Sequence, residues 1–281
     1  MSNSSDIPSF FKIRLISLLM ATAVLFACSE HAEQKVYAGV WEGYGKATLP
    51  DNSVYEGEFK RGLFNGKGTL IWQDGDKYVG EFADGITNGY GEHYSRIGYV
   101  LKGQHKDGAA HGKGVMIFDD GKRYEGNFEL GSWNGRGIFV EPGLGRYEGE
   151  FKDGKYHGVG KYFFETGETY EGEFKDGYWN GSGVHEHPNG NKYVGIFKNG
   201  YYNGKGVSTF LNGNVYTGYF KDGTFNGKGV FTYSNGDYYD GEFKDGMFHG
   251  KGVCRSDGVY ADCTYENDEQ VFFEEINDTE T

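Results

Sequence analysis

Carboxylates in pairs two residues apart are the first feature of this 281-residue chain that could do chemistry: Glu56 and Glu58, Glu148 and Glu150, Glu171 and Glu173, Asp240 and Glu242. Acid–base catalysis needs two such groups whose environments push their pKa values apart. Here the pair recurs as a ladder, nothing singles out one copy, and a solvated sheet face is the better reading. His185-Glu186-His187 puts two imidazoles on one strand face, a spacing able to start a metal site. No third ligand is evident, so surface histidines and no metal are expected. Gly-x-Gly pairs occur throughout, but at turns and not between a strand and a helix, the context that phosphate binding requires. The expectation is therefore a non-enzyme with no cofactor and no small-molecule substrate.

The elements that carry these residues follow from composition and period. There are 49 Gly, 23 Tyr and 22 Phe but only 4 Pro. Glycine at that level with few aromatics would mean disorder, and with many it points to short strands joined by tight turns. The net charge of −13 opposes nucleic acid and anionic lipid, both of which need a basic field. Tyr-x-Gly-x-Phe begins at Tyr55, Tyr78, Tyr124, Tyr147, Tyr170, Tyr193, Tyr216 and Tyr239, in steps of 23 or a multiple of it. Leu101-Lys102-Gly103-Gln104-His105 fills the missing step, a shortened copy starts at Tyr37, and a worn one surrounds Tyr260. A second signature, Asn65-Gly66-Lys67-Gly68, recurs between the aromatic units, with His111, His157 and His249 in place of Asn. Positive φ suits Asn and His alike, which assigns those histidines to a turn.

In a strand, residues i, i+2 and i+4 share a face, so Tyr170, Gly172 and Phe174 point one way and Glu171 and Glu173 the other. Glycine between two rings leaves a notch into which a neighbouring ring can fit. Asn235-Gly236 and its counterparts at 74, 120, 189 and 212 read as the hairpin turns, and Lys244-Asp245-Gly246 as a second turn to the next unit. The fold class expected is all-β: an elongated antiparallel meander of stacked hairpins, about ten 23-residue units over residues 37–265. Each hairpin is marginal alone and is stabilised by its neighbours.

Tyr-Glu-Gly-Glu-Phe-Lys-Asp-Gly followed by Asn-Gly-x-Gly resembles the MORN repeat (membrane occupation and recognition nexus), over roughly Tyr37 to Tyr265. The resemblance implies a grooved single sheet of stacked hairpins, and a role as scaffold, dimerisation module or membrane-associated part. Unlike many relatives, this chain is expected to carry no attached enzyme domain.

Residues 1–27 differ from the rest. Lys12 and Arg14 precede an apolar run from Leu15 to Ala27, which reads as an export signal and is short of the roughly 20 residues of a membrane span. Leu25-Phe26-Ala27-Cys28 resembles a bacterial lipobox, which implies lipidation of Cys28; Phe26 is bulkier than that motif usually carries. The alternative is plain cleavage near Ala27. Ser29 implies sorting to the outer membrane, facing the periplasm, ahead of an inner-membrane or soluble periplasmic location. Residues 28–36 form a polar tether.

With Cys28 lipidated, Cys254 and Cys263 make an even pair flanking Ser256-Asp257-Gly258, and a disulfide facing across that hairpin is expected, against two free thiols. Residues 266–281 form an acidic tail, in which the four-residue spacing of Phe272 and Ile276 predicts a short helical turn that caps the last strand or docks elsewhere. Where most copies carry Glu, Val194, Ile196, Thr217 and Tyr219 make the acidic face apolar over two adjacent repeats. Such a patch marks a binding surface, or else the tail or another segment covers it. The function expected is a non-catalytic, lipid-anchored scaffold at the cell envelope that binds another protein or itself, with a cell-wall glycan-binding module as the alternative.

Overall fold

The computed structural model describes residues 42–276. The leader, Cys28, the tether and the copy at Tyr37 lie outside them. The described residues fold into 21 antiparallel strands of one open sheet, and contain no helix. They divide into two compact units, one ending at Gly160 and the other starting at Lys161.

The first unit holds β1 (Gly43–Thr48), β2 (Val54–Lys60), β3 (Leu63–Ile71), β4 (Lys77–Ala83), β5 (Ile86–Ser95), β6 (Tyr99–Lys106), β7 (Ala109–Phe118), β8 (Arg123–Glu129), β9 (Ser132–Glu141) and β10 (Gly145–Lys152). The division falls within β11 (Lys155–Phe164). The second unit holds β12 (Thr169–Lys175), β13 (Tyr178–Glu186), β14 (Lys192–Lys198), β15 (Tyr201–Thr209), β16 (Val215–Lys221), β17 (Thr224–Thr232), β18 (Tyr238–Lys244), β19 (Met247–Ser256), β20 (Val259–Glu266) and β21 (Glu269–Glu275). Inside each unit a strand pairs with the strands before and after it in sequence, as in β3 with β4 and β15 with β16.

The two turns of each repeat exchange the roles expected of them. Lys-Asp-Gly is the two-residue hairpin: Asp245 and Gly246 both have positive φ, at 51° and 90°, as a primed turn requires. The Asn-Gly loops are longer. Gly236 N–H bonds to Tyr233 O and Tyr233 N–H to Asp237 O, and only the glycine is left-handed. Asn235 instead accepts the N–H of Asp237 through its side chain, which is why a short polar residue stands there. His111, His157 and His249 likewise have ordinary φ; the positive value belongs to the glycine that follows each.

The notch formed by glycine is filled from its own strand. The ring of Tyr170 lies over Gly172 and over Gly183, its cross-strand partner, and its hydroxyl donates to Glu173 O at 2.9 Å. A Cβ on Gly172 would stand 2.6 Å from Gly183 Cα and 2.7 Å from the Tyr170 oxygen. The same ring stacks on Trp179 at 4.2 Å and meets Phe174 and Phe197 edge-on at 5.0 and 4.9 Å. The plan repeats at Tyr193, stacked on Tyr202 at 3.7 Å, and at Tyr216, stacked on Phe225 at 3.8 Å. Each of these three tyrosines thus ties together its own strand, the next strand and the phenylalanine of the following repeat. Edge-to-face and offset pairs of this kind add about 0.5–1.5 kcal/mol each beyond burial. Burial also pushes the phenols of Tyr193 and Tyr216 up, so they stay neutral donors at any physiological pH.

The C-terminal expectation of a helical turn is overturned. Residues 269–275 form β21, paired antiparallel to β20 with Cys263 opposite Phe273. The free edge of β20 offers unpaired backbone groups, and Val271-Phe272-Phe273 is a run that strands favour. Its backbone bonds outweigh the local spacing of Phe272 and Ile276.

Candidate functional site

The acidic ladder is not only a solvated face. Each repeat has a bulge where a left-handed glycine, such as Gly181 at φ 66°, turns the next N–H outward. The second carboxylate of the repeat accepts it: Glu58 from Lys67 at 3.2 Å, Glu81 from Tyr90 at 3.0 Å and Glu173 from Ser182 at 2.9 Å. The first carboxylate is free of that duty and makes exposed ion pairs, as Glu171 does with Lys161 at 2.8 Å. Such pairs contribute little to stability.

At Ile196 and Tyr219 this second carboxylate is replaced, and each side chain sits over its bulge beside Gly204 and Gly227. Val194 and Thr217 replace the first carboxylate. The register then aligns five strands: Val184 opposite Val194, Val194 opposite Val207, Val207 opposite Thr217 and Thr217 opposite Val230. Glu171 and Asp240 bound this row on either side. At about 4.8 Å per strand the row runs roughly 19 Å. Val194, Ile196 and Tyr219 are 43, 41 and 45% exposed, and Thr217 is exposed too. Lys205 Nζ lies 5.5 Å from the Tyr219 ring centre. Residues 269–275 pair with β20 and do not cover this face.

Cys254 and Cys263 are joined, with S–S 2.02 Å and Cα atoms 6.0 Å apart. They do not oppose each other directly: Cys254 faces Ala261 and Cys263 faces Gly252, so the bridge is diagonal. The register also shows how the last repeat is worn. Ala261 takes the place of the tucked tyrosine, Cys263 that of its glycine and Tyr265 that of the phenylalanine, with Tyr239 and Tyr265 rings 5.0 Å apart. Tyr260, half exposed, is not that copy's tyrosine.

His185 is not a surface residue. It is 2% exposed, packed against Trp179 at 4.9 Å, and its Nδ1 lies 2.8 Å from the Tyr202 hydroxyl. Burial, with His187 beside it, pushes its pKa down to about 3, so it is neutral at pH 7. A third polar group stands with this pair: Glu168, in the loop before β12, has Oε2 3.6 Å from His185 Nε2 and Oε1 3.5 Å from His187 Nδ1. No sequence spacing announces it, since Glu168 is brought across from the preceding hairpin.

The MORN repeat profile matches this chain nine times, at residues 55–77, 78–98, 102–123, 124–140, 147–169, 170–192, 193–215, 216–238 and 239–259. No curated protein matches it. Solved structures match at low likeness. A mutant TCP10 domain of Danio rerio CPAP is 11% identical with a TM-score of 0.29, covering 83% of this chain and 99% of that one. The TCP domain of Drosophila melanogaster SAS-4, in complex with a proline-rich motif of Ana2, is 10% identical with a TM-score of 0.25, covering 88% and 99%. A catalytically inactive virginiamycin B lyase from Staphylococcus aureus is 14% identical with a TM-score of 0.16, covering 86% and 87%. Scores this low carry no argument about function. With nine matched repeats spanning well over half of its length, and a tucked tyrosine at eight of the 23-residue steps, the chain belongs to the MORN-repeat family.

Proposed function

We propose that this protein is a non-catalytic scaffold, lipid-anchored at Cys28 on the periplasmic side of the outer membrane, that binds another protein or a second copy through the β14–β16 face. The observation that carries the reading is the row of Val184, Val194, Val207, Thr217 and Val230 between Glu171 and Asp240, with Val194 and the neighbouring Ile196 and Tyr219 exposed beside it. A repeat sheet presents such a surface without loops, so affinity comes from side chains on rigid strands. The anchor rests on Lys12, Arg14, the apolar run to Ala27 and the cysteine after it. Membership of a repeat family of scaffolds is consistent with a role that needs no catalysis. The glycan-binding alternative calls for exposed rings to stack on sugars, and the repeat tyrosines are buried.

The test is crosslinking of the tagged protein in its own cells, for the native sequence and for the double change Ile196→Glu and Tyr219→Glu. The native sequence should trap one defined adduct, either a homodimer or a single partner, and the double variant should lose it. Equal trapping by both would remove the face from the account. Retention of both on isolated cell wall would favour the glycan reading. For the anchor, Cys28→Ser should move the protein from the membrane to the soluble fraction.

A further inference from the structure

We infer that Glu168, His185 and His187 form a binding site for one divalent transition-metal ion of the zinc class. The three side chains offer one oxygen and two imidazole nitrogens, all within 4.8 Å of one another. The carboxylate lies 3.6 Å from His185 Nε2 and 3.5 Å from His187 Nδ1. These separations are too long for hydrogen bonds of normal strength. One carboxylate oxygen faces each imidazole, at a spacing near the roughly 3.4 Å that separates neighbouring ligands around an ion bound at about 2.0–2.1 Å.

The histidine at the centre of the cluster is oriented for this role. His185 Nε2 is buried with no hydrogen-bond partner. A buried ring nitrogen in that state is costly unless something occupies it. In the tautomer whose Nδ1–H donates to the Tyr202 oxygen, 2.8 Å away, the lone pair sits on Nε2, the atom that faces Glu168. An outer hydrogen bond that fixes ring and tautomer is the usual support of a metal-bound histidine. Glu168 and His187 are partly exposed, so the ion has a path in from solvent and room for water as a fourth ligand.

The same chain holds a contrasting arrangement four repeats earlier. Asp76, His93 and Ser95 occupy the equivalent positions, with Ser95 where His187 stands. There the carboxylate closes directly on the histidine, at 3.2 Å, and is further engaged by the Arg96 N–H at 2.9 Å and the Ser95 hydroxyl. Contact replaces the gap once the second imidazole is gone. The nitrogen and carboxylate set suits zinc, cobalt or nickel and not magnesium or calcium, which take all-oxygen shells.

The full chain, held in detergent, without a histidine tag and stripped with chelator, would be titrated with zinc by calorimetry and with cobalt by visible absorbance. Mg²⁺ serves as the negative control. The expected result is one equivalent of zinc, a cobalt spectrum of a tetrahedral or five-coordinate site, and no heat with Mg²⁺. His187→Ser, which copies the residue at 95, and Glu168→Gln should each weaken zinc at least tenfold, with the far-ultraviolet spectrum of the sheet unchanged. His111→Asn, which restores the common turn residue elsewhere, should bind as the native chain does. No zinc binding by the native chain at 100 µM, undiminished binding in both site variants, or equal loss in His111→Asn would each overturn the assignment.

Discussion

His105 stands where other repeats carry the phenylalanine of Tyr-x-Gly-x-Phe, and His105→Phe should both stabilise the protein and flatten its response to acid. The imidazole is 6% exposed and meets the Tyr78 ring edge-on at 4.9 Å, the place that Phe82 takes against Tyr55 at 5.1 Å. Burial lowers its pKa to about 4, from an ordinary value near 6.5. The unfolded chain therefore takes up a proton between pH 6.5 and 4 while the folded chain does not. Stability then rises with pH across that window and is lost as pH falls through it. Between pH 7.5 and pH 5 this single group removes about 2 kcal/mol. Phenylalanine does not titrate, so the variant should keep that amount at pH 5, and the other ionisable groups cancel in the difference. Urea unfolding at several pH values, read by tyrosine and tryptophan fluorescence, measures it, with amide exchange over β5 to β7 assigning the effect to this place. Parallel curves for the native chain and the variant, offset by a constant, would refute the claim that His105 is buried neutral.

Other expectations concern the repeat itself. Gly183→Ala should cost about 1–3 kcal/mol by forcing Tyr170 off its seat, and Tyr170→Phe only about 1 kcal/mol for the lost hydroxyl bond to Glu173 O; thermal melts of the two variants give the order. Cys254→Ser should loosen β20 and β21 by about 2–3 kcal/mol, given the short loop of sequence separation 9, with amide exchange rising at the C-terminal strands and not in β12 to β16. Ile196→Glu should leave the melting temperature unchanged or raised, since the new carboxylate can accept the Lys205 N–H as Glu173 accepts that of Ser182, while any self-association seen by light scattering falls.

The period and the strands were legible because each repeat states them locally: alternation around Gly172, a turn at Asp245-Gly246, and the same again 23 residues on. What fills the notch was less so. Tyr170 covers two glycines on different strands, a relation of register and not of spacing. The stacked ring nine residues after each tyrosine, such as Trp179 or Tyr202, was available in sequence as an aromatic residue before Asn-Gly. The carboxylates divided by role only once the bulge was seen. His185 read as a surface residue for want of an evident third ligand, whereas its strand face is the buried one. Phe272 and Ile276 carried a helical spacing that was too short to compete with an open strand edge.

Pairing only between successive strands has a mechanical meaning. Within either unit no strand bridges distant parts of the sequence, so tension applied along the chain meets one hairpin at a time, like a zip drawn from its end. Freeing 23 residues at about 3.4 Å each, less the roughly 10 Å a folded repeat already spans, lengthens the molecule by about 70 Å per event. A protein tethered at one end and gripped at the other would yield in equal steps at low force and rewind when released.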